Sequence, residues 1–139
     1  MKKVTFIYVL LFIIALAATA NAQISVVVSS SSSQTANEAQ IKEIFSGTSL
    51  NWPDGSKTAV VEQAKTDTGK TFYSKFIKKF PTQVQKKWMK LVLSGQANAP
   101  VKCADDSAVK LAVAKDKNTI GYIKTSALDG TVKEIHKIQ

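Results

Sequence analysis

Runs of β-branched residues alternate along this chain with apolar stripes at helical spacing, and that alternation restricts it to a layered α/β architecture. Ile24-Ser25-Val26-Val27-Val28 reads as a short buried strand. The serine run from Ser29 to Ser33 then reads as a flexible loop, with a hydroxyl-rich rim to a site as the sharper alternative. Ile41, Ile44 and Phe45 share one helical face, with Asn37 placed to cap that helix and Gly47 where a C-terminal glycine belongs. Trp52-Pro53-Asp54-Gly55 is turn chemistry, and Thr58 to Glu62, with Ala59-Val60-Val61 inside it, is a second strand. A second helix starting near Thr68 aligns Phe72, Phe76, Ile77 and Phe80 and ends at Pro81. Thr82 with Gln85 forms a capping box for a third, striped by Val84, Trp88, Leu91 and Val92 and closed by Gly95. Asp105 or Asp106 caps a fourth, with Val109, Ala112 and Val113 inward. Thr119 to Ile123 and Val132 to Ile138 are closing strands. The order β-α-β-α-α-α-β-β predicts an α/β fold with a mixed sheet flanked by helices.

The N-terminus reads differently. Met1-Lys2-Lys3 precedes an apolar run from Val4 to Ala18, and Ala20-Asn21-Ala22 has the small-residue pattern of a cleavage site. This predicts a signal peptide over residues 1–22, cut after Ala22, and a periplasmic mature domain over residues 23–139. The run is shorter than the roughly 20 residues that span a bilayer, so no stable membrane span is expected after cleavage. Loss of Lys2 and Lys3 leaves 17 lysines against 10 carboxylates, a net charge near +7. The chain contains no arginine, so an anion must be held by lysine, hydroxyls or backbone N–H groups. Cys103 has no second cysteine to pair with inside the chain, and reads as a small hydrophobe or an interchain thiol. His136, beside Ile135 and Ile138, reads as structural, because no partner ligands for a metal accompany it.

The sequence carries no catalytic set, and no enzyme, cofactor or metal is expected. Asp105-Asp106 reads as a helix cap, and the one histidine lies far along the chain from the one cysteine. Lys75, Lys78, Lys79, Lys86, Lys87 and Lys90 are interleaved with Phe76, Phe80 and Trp88, a pattern seen in nucleic-acid binders. Here the aromatics fall on the core stripes, so the lysines read as a solvated surface and no nucleic-acid partner is expected. Gly69-Lys70-Thr71 imitates the end of a phosphate-binding loop, but that motif needs glycine at position 64, which is Ala64. Ser46-Gly47-Thr48 looks like an oxyanion cradle. It falls at a helix C-terminus, where unpaired carbonyls repel anions.

Taken in order, Ile41-x-x-Ile44-Phe45-x-Gly47, Trp52-x-Asp54-Gly55, a strand, a helix carrying Phe72, Trp88, Ser94-Gly95 and Thr119-Ile120-Gly121-Tyr122 resemble a known family. The pattern is similar to the phosphate-type, PstS-like substrate-binding proteins of ABC transporters, and more closely to their short stand-alone PBP-like-domain members. The resemblance covers about Ile24 to Ile138 and implies a one-lobe, type 2 periplasmic-binding-protein-like domain. The full family grips an oxyanion between two lobes, and the first lobe's early glycine- and hydroxyl-rich loops have no counterpart here. In the second lobe the family holds the anion on a Ser-Gly-Thr at a helix N-terminus, with an arginine four residues ahead. Thr68-Gly69-Lys70 takes that tripeptide's place, Ala64 replaces the arginine, and Lys65 lies one position away. The resemblance therefore implies a candidate anion site of Lys65, Thr66, Thr68, Gly69, Lys70 and Thr71, with Asp67 either opposing the ligand or capping the helix. The plain alternative is an ordinary Asp/Thr-capped helix start. Two functions follow: weak binding of phosphate or a similar oxyanion in partnership with an ABC permease, or a ligand-free accessory module for an envelope protein partner.

Overall fold

The computed structural model describes residues 23–139, and the predicted leader with its cleavage site lies outside the described residues. In chain order the regular elements are β1 (Ile24–Ser29), α1 (Glu38–Phe45), β2 (Ala59–Glu62), α2 (Asp67–Thr71), α3 (Pro81–Leu93), β3 (Val101–Lys102), α4 (Asp106–Ala114), β4 (Thr119–Lys124) and β5 (Val132–Ile138). The five strands form a single sheet in the order β3-β2-β4-β1-β5. β1 runs antiparallel to β4 and β5, whereas β2 runs parallel to β3 and β4, so the sheet is mixed as expected. No helix among the described residues is long and apolar enough to cross a membrane.

β1 lies between β4 and β5, and all six of its residues are buried. Its side chains alternate between two cores: Ile24, Val26 and Val28 join one cluster and Val27 the other. That is why the strand reads as a continuous apolar run rather than as alternation. The larger core lies under α1, α3 and the π-helical turn Phe72–Ile77 between them. Phe72 stacks on Tyr122 of β4 at 3.8 Å between ring centroids, and Phe45 of α1 meets both rings edge-on at 4.9 and 5.8 Å. The smaller core packs Val109 and Val113 of α4 against Val27, Val61 and Ile123. Cys103 is half-buried beside that cluster, as a free thiol.

The caps follow the sequence closely. Asn37 Oδ1 accepts the Gln40 N–H at 2.9 Å, and Gln40 Oε1 accepts the Asn37 N–H at 2.9 Å. Asp105 Oδ1 accepts the Ala108 N–H at 2.9 Å at the start of α4.

The expected second helix is where the structure departs. α2 has only five residues and passes into a π-helical turn over Phe72–Ile77. Lys78 ends that turn at φ 57°, its N–H donating to Tyr73 O at 2.7 Å. This left-handed residue swings the chain, so Phe80 leaves the apolar stripe and is 74% exposed. Pro81 does not merely stop one helix; it opens the next, where its missing N–H is harmless. Gln83 Oε1 reaches back to the Phe80 N–H at 3.4 Å, in place of the expected box from Thr82 to Gln85. Only Val84 and Trp88 of the α3 stripe are buried, and Val92 faces solvent. β3, two exposed residues on the sheet edge, has no counterpart among the predicted strands.

Candidate functional site

The residues of the predicted anion site lie where the chain leaves β2 and turns into α2. Gln63, one residue past the strand, is buried and ties three elements together. Its N–H donates to Tyr122 Oη at 3.0 Å, and its Nε2 donates to Tyr122 O at 2.9 Å and to Asp106 Oδ1 at 2.8 Å. Its carbonyl accepts the Thr66 N–H at 3.0 Å and lies 2.9 Å from the Thr66 hydroxyl. That hydroxyl in turn accepts the Gly69 N–H at 3.0 Å, which makes Thr66 the N-cap of α2. Gly69 is required by this packing, because a Cβ there would sit 2.0 Å from Gln63 O.

The candidate residues therefore divide. Thr66 and Gly69 are engaged with each other and with Gln63, so neither the hydroxyl lone pair nor the Gly69 N–H points to an open site. Thr68 is buried and Thr71 half-buried, while Lys65 and Lys70 are exposed. The N–H groups of Asp67 and Thr68, the first two of the helix, have no partner among the described residues. Their partial positive charge attracts an anion, and the Asp67 carboxylate in the same turn opposes it. The two N–H groups and the Asp67 carboxylate thus act on an anion in opposite directions.

Gln63 has no role in the sequence reading, which names Asp106 only as a helix cap and Tyr122 only as a family landmark, although all three shape this corner. The available signal was Tyr122 itself, a tyrosine on a buried strand whose O–H must find a partner. Burial pushes its phenol well above the ordinary value of 10.0. Asp106 is engaged with Gln63 and Asp105 with the α4 cap. Cys103 is likewise raised, by burial first and then by the Asp105 and Glu62 carboxylates. Among the described residues, no group of three or more His, Cys, Asp or Glu side chains is arranged to hold a metal ion.

Ser46-Gly47-Thr48 lies at the C-terminus of α1, with Gly47 at φ 75° and the Ser46 N–H donating back to Lys42 O at 3.0 Å. It is a helix ending. The six lysines between Lys75 and Lys90 are all exposed, while Phe76 and Trp88 are buried beneath them.

Fold and corner together define an α/β lobe with a mixed sheet and a helix start at the carboxyl end of a parallel strand. Three solved structures share this fold. One is assigned as a phosphate ABC transporter substrate-binding protein, with bound phosphate, from Clostridium perfringens, at 19% identity and TM-score 0.62 over 81% of this chain and 43% of that one. An ABC-type phosphate transport receptor from Vibrio cholerae matches at 21% identity and TM-score 0.63, over 81% of this chain and 44% of that one. PstS from Borrelia burgdorferi matches at 14% identity and TM-score 0.55, over 73% and 40%. The chain thus spans less than half the length of each. No protein-family model and no curated protein matches it.

Proposed function

We propose that this chain is a periplasmic, substrate-binding-protein-like module that meets phosphate or a similar oxyanion with one lobe, at the N-terminus of α2, in partnership with an ABC permease. The observation that carries the reading is the pair of unpartnered N–H groups at Asp67 and Thr68, on a fold shared with phosphate-binding proteins. Lys65 and Lys70 supply the only cationic groups within the candidate segment from Lys65 to Thr71, and both are exposed. An anion held there keeps much of its water, so affinity falls in the millimolar range, about −4 kcal/mol. The predicted leader would deliver the mature domain to the periplasm.

A second reading is favoured by a specific observation: Gly69, which stands in the tripeptide's place, and Thr66 beside it in the candidate site are engaged in the helix cap. On that reading the lobe has kept its fold as an accessory to an envelope protein. Titration calorimetry of the mature chain with sodium phosphate, against sodium chloride at equal ionic strength, separates the two. The first reading expects saturable millimolar heat that Lys65→Ala and Lys70→Ala together weaken at least threefold. Absence of heat at millimolar phosphate, together with an envelope protein that co-purifies, supports the second.

A further inference from the structure

We propose a second binding site, in the cavity between α3 and the β2–β3 edge of the sheet, for a small ligand with an apolar body and a protonated amine head. The cavity measures about 270 Å³ and is walled by Phe45, Val60, Val84, Trp88, Met89 and Leu93. An apolar cavity of about 150 Å³ takes up benzene, so this one has room for a ring with a short side chain. Met89 and Leu93 form its rim and are 62% and 81% exposed, apolar surface that an occupant would cover.

The polar group in this apolar wall gives the site its chemistry. Glu62 lines the cavity with only 6% of its surface exposed. Its Oε2 accepts one long hydrogen bond, from the Tyr73 hydroxyl at 3.3 Å. Its Oε1 has no hydrogen-bond partner among the described residues, and no lysine or histidine nitrogen among them lies within 4.0 Å of the carboxylate. Oε1 keeps some exposure, within reach of an occupant of the cavity that Glu62 lines, and a carboxylate buried over the rest of its surface gains from pairing. An ammonium brings three N–H donors and the missing charge. A carboxylate or phosphate head would be repelled, so the preference is opposite to that of the α2 N-terminus and the two sites are independent.

Lys102 is the chain's own competitor. It is the register partner of Glu62 across the β2–β3 pair, and its exposed side chain lines the cavity. Its removal therefore favours an added amine.

The test uses three probes on the same phenylpropyl skeleton with different charge: 3-phenylpropylammonium, 3-phenylpropanol and 3-phenylpropionate. Binding is followed on the mature chain by nuclear magnetic resonance, through the Trp88 indole N–H and the Met89 methyl group. The proposal expects saturable shifts at both, with the ammonium bound at least tenfold more tightly than the carboxylate. Glu62→Gln removes that preference and leaves phenylpropanol binding unchanged, and Lys102→Met tightens the ammonium at least twofold. The preference in the unmodified chain decides the matter even if Glu62→Gln does not fold. Equal affinity for the three heads, or no saturable shift with any of them at millimolar concentration, overturns the proposal.

Discussion

Gln63 joins the end of β2 to the starts of α2 and α4 and to Tyr122 of β4, and the shape of the candidate anion site depends on it. The close approach of Gly69 to its carbonyl makes Gly69→Ala a severe change: the new Cβ meets rigid backbone at 2.0 Å. Urea unfolding should show a loss of about 3 kcal/mol, the upper part of the usual overpacking range. A loss below about 0.5 kcal/mol, the scale of an ordinary surface substitution, would mean that the glycine is kept for ligand access and not for packing. Tyr122→Phe should cost about 1–3 kcal/mol in the same assay, because it strands the buried Gln63 N–H. Neither role is readable locally. Gln63 follows a strand and precedes a helix, where a glutamine is ordinarily solvated, and its partners lie 43 and 59 residues along the chain.

At the scale of elements, the ends of helices were more legible than their interiors. Asn37, Gly47, Gly95 and Asp105 act through local backbone geometry, which residue type specifies directly. The span from Thr68 to Phe80 was read as a continuous helix because Phe72, Phe76 and Ile77 do share a buried side. What the pattern does not encode is the left-handed turn at Lys78, a conformation that lysine disfavours. Lys78→Gly removes that strain and should raise stability by about 1 kcal/mol in urea unfolding. A destabilised variant would show that the lysine side chain, not the turn, holds this corner. β3 escaped for another reason: two exposed residues carry no period, and parallel pairing to β2 alone defines them. Phe80 belongs to the same lesson, since its exposure follows from the turn before it and not from its neighbours in sequence.

For the molecule as a whole, the two buried tyrosines set a limit on the alkaline side. Burial holds the phenols of Tyr73 and Tyr122 well above 10.0, their ordinary value. The fold therefore keeps protons that the unfolded chain releases near pH 10, and stability present below that pH is lost as pH rises above it. Thermal unfolding measured from pH 8 to 11 should show this fall, and Tyr73→Phe should make it shallower. On the proposed reading, the sheet that buries them presents a single helix start to an anion, at the carboxyl end of β2, and leaves that anion in contact with water. β1, β4 and β5 were the easiest strands to read, and of these β4 reaches the corner through Tyr122. The corner was placed by resemblance, and the hydrogen bonds at Thr66 and Gly69 show that two of the candidate residues serve the helix cap. The most direct measurement of the central claim is a phosphate titration of the isotope-labelled mature chain, reading backbone amide shifts at constant ionic strength. The account predicts saturable shifts centred on the N–H groups of Asp67 and Thr68, with millimolar affinity and none at Ser46 to Thr48. Shifts spread evenly over the exposed lysines, or none at Asp67 and Thr68, would contradict it.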